Sequence, residues 1–359
     1  MTPRVSICVP NLNTLPYLEE RFDCILGQTY RNFEVFVYDS YSDDGAWEFL
    51  QRIAARDDRV RLMQGPRRGP YPAWNECLRH TTGELVYIAT SDDTMALDCI
   101  EKMAGALERH GDCDLAHCPL RIVDGHTRPI VPPPWPANTV FASGAPDLVD
   151  RPHVRRAPYD GLLHLSGRHV YLSIAQLLIR RSLFSKVGPF LNRWGNISDF
   201  NWEMRAGLVA STVHVPGTWA SWRIHEKQAT HVVNFESPER DRKIEQMIAD
   251  AVESCDRFLP RELSRSPWLD RTRNIRNYYA RLAHEPSARK RRIFQLGQLL
   301  AGAPGVRSEI INVLSRGKKW PIVAPGLIRS WIEDSGFGPT LEFSEVAEQP
   351  PRATGPARR

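Results

Sequence analysis

The sequence predicts an α/β protein built around a mostly parallel sheet. Apolar strand patterns alternate with amphipathic helix patterns four times before residue 93, with short connections between them. The strand patterns are unbroken apolar runs, which is typical of strands that are covered on both faces. Polar residues follow three of these strands, and ligands bind at the carboxyl ends of parallel strands. These observations predict a ligand crevice at one edge of the sheet.

The elements of this sheet can be predicted in order along the chain. Strands are predicted at 5–9, 34–38, 60–63 and 85–89. Helices between and after them are indicated by apolar positions at helical spacing: Leu18, Phe22, Ile25 and Leu26; Trp47, Leu50 and Ile53; Ala73, Trp74, Cys77 and Leu78; Leu97, Ile100, Ala104 and Leu107. Thr14 is placed to cap the first helix.

Two adjacent carboxylates, Asp92 and Asp93, follow the fourth strand. Their charges repel unless a cation lies beside them, which indicates a divalent metal and a phosphate-bearing substrate. The alternative is that Ser91 and the two aspartates merely cap the next helix, and the residues alone leave both interpretations open. Asn11 and Asp39 also follow strands, so they should meet the pair at the same edge.

Composition limits the class of protein. A net charge of +5 over 359 residues is modest, so it suits anionic substrates or a lipid surface and does not indicate nucleic acid. Seven cysteines without a Cys-x-x-Cys pair indicate free thiols in a reducing cytoplasm. No apolar run approaches the roughly 20 residues of a membrane span, and we expect no signal peptide. We therefore expect a cytoplasmic protein, with attachment to the inner face of the cell membrane left open.

Four ordered blocks resemble family 2 glycosyltransferases of the GT-A fold, which has a Rossmann-like, mostly parallel sheet. The blocks are 5–13, 25–35 with 39–45, 69–75, and 82–84 with 91–93, and the resemblance extends to about residue 230. There is no Gly-x-Gly-x-x-Gly after the first strand and no Gly-Lys-Ser/Thr loop, so dinucleotide and P-loop sites lose support. Three positions depart from the family pattern: Thr90 replaces an acid, Leu12 a tyrosine and Pro72 an acid.

The resemblance implies roles for individual residues. Pro10, Asn11, Asn13 and Asp39 would line the nucleoside pocket, Asn75 would bind the donor, Asp92 would face its ribose and diphosphate, Asp93 and His225 would hold Mn²⁺ or Mg²⁺, and Asp199 would be the catalytic base. Arg67, Arg68 and Lys227 are candidate auxiliary cations.

Two of these roles have structural alternatives. Asp199 lies in the first turn of a predicted helix that Ser198 would cap, where the helix dipole alone favours an acid, and Glu203 follows one turn later. A lone histidine after a strand, such as His225, is also commonly structural.

The rest of the chain carries weaker signals. Eight prolines between residues 126 and 158 indicate an irregular loop, which we expect to form a wall around the acceptor, with Trp135 facing a sugar ring. We assign 1–235 to the catalytic domain, divided into a nucleotide-sugar half (1–120) and an acceptor half (121–235). Residues 236–345 form a helical region and 346–359 a disordered tail. Basic segments at 289–292 and 318–331 suit a solvated surface or an anionic lipid face.

Together these features predict an inverting, metal-dependent glycosyltransferase. It would move a sugar from a nucleotide diphosphate, most simply a UDP-sugar, to a hydroxyl of a glycan or lipid-linked glycan in surface polysaccharide biosynthesis. Two alternatives stay open: a nucleotidyltransferase, although the glycine-rich loop it needs is missing after the first strand, and a nucleotide-sugar-binding protein with a decayed metal site, for which Thr90 argues. We expect no nucleic-acid partner and leave self-association open.

Overall fold

The computed structural model describes residues 4–130, 149–165, 170–226, 228, 238–259 and 261, and the backbone of 341–342. The strands are β1 Val5–Asn11, β2 Phe33–Asp39, β3 Val60–Gln64, β4 Leu85–Ile88, β5 Leu115–His117, β6 Leu120–Val123, β7 His153–Arg155, β8 Leu177–Arg180, β9 Thr212–His214, β10 Ala220–Arg223 and β11 Leu341–Glu342. The helices are α1 Leu15–Leu26, α2 Ala46–Ala54, α3 Pro70–Arg79, α4 Cys99–Arg109, α5 Tyr159–His164, α6 Ser182–Val187, α7 Ser198–Val209 and α8 Pro238–Cys255.

Nine strands form one sheet in the order β11-β7-β9-β5-β8-β4-β1-β2-β3, while β10 and β6 pair separately. Strands β4, β1, β2 and β3 are parallel, and the antiparallel β8 separates them from β5 and β9, which run in the same direction as β4. The carboxyl ends of β1 to β5 and β9 therefore lie at one edge, as the sequence predicts. We call this edge the carboxyl edge.

Alternate side chains of the central strands enter two cores, one on each face of the sheet. Ile7 and Val9 of β1 pack with α1, α2 and α4, whereas Cys8 packs with α3 and with α5 to α8. Helices α5 and α7 approach closely because both have glycine at the contact: an added Cβ at Gly161 would lie only 2.5 Å from the backbone nitrogen of Leu208. This packing fixes α7, the helix that carries Asp199, against the sheet.

Helix α8 extends the second core. Ile244, Met247, Ile248, Ala251 and Cys255 are buried, as their helical spacing predicts, whereas Phe258 is 40% exposed and does not join that face. The Asn201 side chain of α7 donates to the Met247 carbonyl oxygen at 3.0 Å, so this helix packs on α7. Within the described residues, no helix has both the length and the apolar character needed to cross a membrane.

Three predicted caps are wrong. Ser198 is the first residue of α7 and not its cap, and its hydroxyl oxygen accepts from the Trp194 amide at 3.2 Å. The side chain of Thr14 makes no cap on α1 and instead donates to Asn11, while Asp44 Oδ2, from the loop after β2, accepts from the first amide of the helix at 2.9 Å. Helix α4 begins at Cys99, well beyond Asp92 and Asp93, so these aspartates do not cap it. Leu97, predicted on the apolar face of that helix, is 54% exposed.

The proline-rich segment is not wholly irregular. Strand β7 forms at His153–Arg155 and pairs with both β9 and β11. Strand β11 also lies in a region predicted to be helical. Trp135, Lys227 and the basic segments at 289–292 and 318–331 lie outside the described residues.

A buried row of three histidines crosses strands β5, β9 and β7, and the sequence analysis missed it. His117 ends β5, His214 ends β9 and His153 begins β7, and the strand register pairs them directly. We call them the histidine row. His214 Nε2 lies 2.7 Å from the Val149 carbonyl oxygen and His153 Nδ1 lies 2.7 Å from that of Arg151. Carbonyl oxygens only accept, so these contacts fix the proton positions of two neutral imidazoles.

The guanidinium of Arg155 lies beside this row and makes two hydrogen bonds to Asp160, at 2.6 and 3.2 Å. Its Nη1 lies 2.9 Å from His153 Nε2, the acceptor of that neutral ring. Burial, and after it the charge of Arg155, lowers the pKa of His153 to about 3 and of His214 to about 4. The row is therefore neutral at physiological pH.

Candidate functional site

The carboxyl ends of β1, β2 and β3 bring together Asn11, Asp39 and Gln64, which are paired directly in the strand register. We call them the Asp39 row. The Asp39 carboxylate is fully buried and accepts from Asn11 Nδ2 at 2.6 Å and from Gln64 Nε2 at 3.0 Å. The backbone amide and hydroxyl of Ser42 also donate to it, at 3.0 and 2.6 Å. Four donors thus hold one carboxylate at the floor of the crevice.

Two loops above this row have strained backbones. Asn13 and Tyr41 have φ angles of 54° and 51°, in the left-handed region that a bulky residue such as tyrosine rarely occupies. Asn13 is linked to the second loop by two hydrogen bonds with Asp43, both 2.9 Å long. The guanidinium of Arg67 donates to the carbonyl oxygens of Ser40 and Tyr41 and to Asp43. Strain that is held in this way is characteristic of ligand-binding loops.

Asp92 and His225 come together beyond the end of β4. His225 Nε2 lies 3.0 Å from Asp92 Oδ2, and the imidazole packs against the ring of Tyr17 with their centroids 4.7 Å apart. The Asp92 side chain is 24% exposed and that of His225 is 9% exposed, so both reach the surface of the crevice. This pair is partly solvated, unlike the histidine row.

Asp93 is buried behind this pair. Its Oδ1 accepts from the Arg223 amide at 2.8 Å and its other oxygen accepts from the Thr90 hydroxyl. Burial, and after it the charge of Asp92, raises the pKa of Asp93 to about 7. Thr90, which stands where the family has an acid, therefore acts here as a hydrogen-bond donor to Asp93.

Arg223 ties the surrounding elements together. Its buried guanidinium donates to the Asp92 carbonyl oxygen at 2.6 Å, to Glu20 of α1 at 2.7 Å and to the Thr127 hydroxyl at 2.7 Å. These three hydrogen bonds hold the loop that bears Asp92 against α1 and against the turn that follows β6. In the sequence, the only sign that Arg223 belongs to the site is that it precedes His225 in an Arg-x-His segment.

Asp199 lies in the first turn of α7 and is half-buried. Its Oδ1 accepts from the phenol of Tyr71 at 3.0 Å and from the Phe200 amide at 2.9 Å. Burial, and after it the charge of Asp199, raises the pKa of Tyr71 well above its usual value. Burial likewise raises the pKa of Glu203, one turn along the helix, well above its usual value.

Asn75 has a structural partner. Its side-chain amide donates to the Phe190 carbonyl oxygen at 2.8 Å and its carbonyl oxygen accepts from the Phe190 amide at 3.1 Å. These two bonds link α3 to the segment that leads into α7. A role for Asn75 in donor binding stays a prediction.

The structure thus brings Asn11, Asn13 and Asp39 together on the nucleotide side, with the half-buried Pro10 beside them in β1. It also brings Asp92, Asp93 and His225 together around Arg223. The sequence analysis missed Gln64 and Tyr71. Gln64 ends β3, so the rule that found Asp39 could have found it, whereas the contact of Tyr71 with α7 spans 128 residues and left no local signal.

The donor atoms near Asp92 fit a divalent cation only in part. Asp92 and His225 offer an oxygen and a nitrogen at the crevice surface, and Asp93 lies behind them. Among the described residues, no three or more histidine, cysteine or acidic side chains form a metal-binding group by themselves. Mg²⁺ sites commonly use one or two carboxylates together with substrate phosphates, and this pair suits such a site.

Comparisons with known proteins agree with this architecture. Residues 6–158 match the family model described as Glycosyl transferase family 2. The chain is 25% identical over 204 residues to the uncharacterized glycosyltransferase EpsJ of Bacillus subtilis, covering 56% of each chain. It is 35% identical over 104 residues to glycosyltransferase GlyG of Streptococcus pneumoniae, covering 29% of this chain and 35% of GlyG. The chain spans about half the length of the first curated relatives that it matches.

Two solved structures share the fold. S. aureus TarS 1-349 superposes with a TM-score of 0.55 at 16% identity, covering 79% of this chain and 73% of that one. The mannosyltransferase PcManGT of Pyrobaculum calidifontis, solved in complex with GDP-Man and Mn²⁺, has a TM-score of 0.53 at 19% identity and covers 94% and 85% of the two chains. The GT-A fold predicted from the sequence is confirmed. Residues 6–158 are thus similar to glycosyl transferase family 2, and the fold of the described chain is the GT-A fold.

Proposed function

We propose that this protein is an inverting glycosyltransferase that moves a sugar from a nucleotide diphosphate donor to a hydroxyl of a glycan or lipid-linked glycan. One observation carries the proposal: the carboxyl edge of a GT-A fold bears the buried carboxylate of the Asp39 row, the partly exposed Asp92–His225 pair, and the half-buried Asp199, which Tyr71 of the first turn of α3 contacts. The curated relatives, several of them named for glycosyl transfer, support the same activity.

In this proposal the Asp39 row binds the nucleoside. The Asp39 carboxylate accepts an N–H group of the nucleobase. This N–H group replaces one of the present donors from the partly exposed residues Ser42 and Gln64. The Arg67 guanidinium holds the Tyr41 loop in place and so keeps the pocket formed before the donor arrives. Uracil offers such an N–H group at N3, as a UDP-sugar donor would require, and guanine offers one at N1, so the donor panel below includes both nucleotides.

Asp92 and His225 would hold a divalent cation, with Asp93 behind them. Mn²⁺ or Mg²⁺ bound there supplies positive charge to the diphosphate as the bond to the sugar breaks. Arg223 keeps the Asp92 loop in position through its bond to the Asp92 carbonyl oxygen. The Mn²⁺ in the PcManGT complex supports a role for a divalent metal.

Asp199 would act as the general base. It accepts the proton of the acceptor hydroxyl while that oxygen attacks the anomeric carbon, and the diphosphate leaves from the opposite face of the sugar, which inverts the configuration. A positioned base of this kind contributes about 10²–10⁴-fold to the rate. Tyr71 and the Phe200 amide hold one oxygen of the carboxylate during this step.

A second candidate, a protein that binds nucleotide sugars without transferring them, is favoured by one observation. Both oxygens of Asp93 accept hydrogen bonds from the chain itself, from Thr90 and Arg223. A carboxylate satisfied in this way has less capacity to bind a metal directly. The two candidates differ in turnover and agree on donor binding.

The experiment is a thermal unfolding panel with UDP-GlcNAc, UDP-glucose, UDP-galactose and GDP-mannose, each with and without Mn²⁺. A donor present at 100 times its dissociation constant adds about 2.7 kcal/mol to the free energy of unfolding. We expect one donor to stabilise the protein in the presence of Mn²⁺ and to be consumed on incubation. Stabilisation without consumption, with acceptor glycans present, would favour the second candidate, and no stabilisation by any donor would contradict both.

A further inference from the structure

We infer that Tyr71 is a positioning residue for Asp199, holding the catalytic carboxylate in place from the nucleotide half of the protein. The inference rests on the proposed role of Asp199 as the base, and it assigns to Tyr71 the role of orienting that base.

The contact is short, buried and directed. The Tyr71 phenol donates to Asp199 Oδ1 at 3.0 Å, and only 3% of Tyr71 is exposed. A phenol buried beside a carboxylate keeps its own proton, so it acts as a permanent donor toward Asp199. Hydrogen bonds to charged groups are about twice as strong as those between neutral groups. The carboxylate of Asp199 is therefore fixed by a side chain from a different helix, α3.

Aromatic packing fixes the phenol in turn. The ring of Tyr71 meets that of Trp74 edge to face with centroids 5.0 Å apart, and Trp74 meets Phe190 in the same way at 5.0 Å. Phe190 packs on Trp202 of α7 at 4.8 Å. The same two helices are thus joined by an aromatic chain and by the phenol–carboxylate bond, which leaves the Tyr71 hydroxyl little freedom to move.

The segment before Tyr71 reaches the donor pocket. Arg67 holds the Ser40 and Tyr41 carbonyl oxygens, and the chain then turns at Gly69, where φ is 96°, into the first residue of α3. Residues 67–71 therefore connect the loop above Asp39 with the carboxylate of Asp199. The Asp199 carboxylate is therefore oriented relative to the donor pocket, and so relative to the sugar of the bound donor.

The test combines a substitution with a measurement that needs no substrate. Tyr71→Phe removes only the hydroxyl and keeps the ring that packs on Trp74, so folding is retained and is checked by thermal unfolding. Tyr87→Phe is the matched control, because Tyr87 is also buried but donates to the Ala175 carbonyl oxygen at 2.8 Å. In protein labelled with ¹³C-carboxyl aspartate, the Asp199 resonance is assigned by its loss in Asp199→Asn.

We expect the titration midpoint of Asp199 to rise by about one pH unit in Tyr71→Phe and to stay unchanged in Tyr87→Phe, because the lost bond favours the ionised form. With UDP-GlcNAc or GDP-mannose, whichever the thermal panel selects, kcat should fall about tenfold, the acidic limb of its pH profile should move by the same amount, and the donor KM should not change.

A wild-type midpoint together with wild-type turnover in Tyr71→Phe would overturn the inference and leave the proposed function intact. A raised midpoint with wild-type turnover would contradict both the positioning role and Asp199 as the base. Wild-type protein that consumes no donor would contradict the proposed function, while the titration would still decide whether Tyr71 controls the carboxylate.

Discussion

The Asp39 row and the histidine row are two sets of polar side chains at the same carboxyl edge of the sheet. Each consists of three residues on adjacent strands in direct register. The Asp39 row carries a negative charge, and the strained Asn13 and Tyr41 loops lie above it, with Tyr41 54% exposed. The histidine row is neutral and is enclosed by the chain on all the sides described, with Arg155 beside it.

We expect this difference to separate the proposed donor site from a buried polar core in this fold. Position at the carboxyl edge is common to both rows, so position alone does not identify a ligand site. What differs is the surroundings: partly exposed donors such as Ser42 and Gln64 on one side, and buried ones such as Gln176 and Arg155 on the other. Substitutions in the histidine row should therefore affect stability, and those in the Asp39 row should affect donor binding.

The largest effect should come from the ion pair beside the histidine row. Arg155→Met leaves the Asp160 carboxylate buried without its cation, and breaking a buried pair in this way costs about 3–5 kcal/mol. Urea unfolding measures the loss. The control is Arg59→Met, whose partly exposed pair with Asp57 should be worth less than about 1 kcal/mol. Equal losses in the two variants would mean that the buried cluster does not stabilise the fold.

Acid should destabilise the protein through the same row. The pKa values of His117, His153 and His214 lie below the ordinary value of 6.5, so below that pH the unfolded chain binds more protons and stability falls. Between neutral pH and pH 5.5, each histidine should lower the free energy of unfolding by about 1.4 kcal/mol. The loss continues down to about pH 4 for His214 and about pH 3 for His153.

The groups that face the row are Arg155, Asp160, His164, Tyr171 and Gln176, and of these Asp160 and His164 are the side chains that can change charge in acid. The pKa of Asp160 is lowered, and burial opposes the shift that Arg155 causes. In His153→Gln, the free energy of unfolding should fall less steeply between about pH 6 and pH 3, by the slope that corresponds to one bound proton. A variant with the slope of the wild type would show that His153 titrates normally in the folded protein.

Asp39→Asn tests the other row. The change puts an amide group against Asn11 or Gln64, whose side chains already donate to this position, and removes the charge that accepts from the nucleobase. We expect UDP affinity measured by calorimetry to fall by about 1.5–3 kcal/mol. Asp57→Asn, at the end of α2 and remote from the crevice, serves as the control. Undiminished UDP binding would remove Asp39 from the nucleoside site.

The smallest of these effects should come from Asp93→Asn. It removes one anionic group behind the Asp92–His225 pair while keeping its shape, so the Mn²⁺ concentration needed for half-maximal UDP binding should rise about tenfold. Calorimetric titrations of UDP at several Mn²⁺ concentrations measure this. UDP binding that is full strength in a chelator would show that no metal takes part.

Much of the nucleotide half could be predicted from sequence because its signals are local. Strands β1, β2 and β4 are mostly apolar, whereas β3 is interrupted by Arg61. The polar residues that end β1, β2 and β3 mark the carboxyl edge, as Asp39 does. The predictions failed where a residue distant in sequence made the contact that a local residue was predicted to make. Thr14 has the chemistry of a cap, but Asp44 from another loop takes that place on α1.

The part of the chain from β5 onward was less predictable because its strands are short and its contacts join residues distant in sequence. Strand β7 has three residues within a proline-rich segment, so periodicity could not reveal it. The histidines of its row lie 36 and 61 residues apart in sequence, at 117, 153 and 214, and only the register of three strands unites them. Tyr71 and Asp199 meet for the same reason, through packing between helices.

The central claim, that the crevice at the carboxyl edge transfers sugar with Asp199 as base, is tested most directly by the rate of donor consumption in Asp199→Asn. Asparagine is nearly isosteric and also suits the first turn of a helix, so stability should change by less than about 1 kcal/mol. The account predicts that turnover falls about 10²–10⁴-fold while donor affinity is unchanged. A variant that keeps more than about a tenth of wild-type turnover would contradict it.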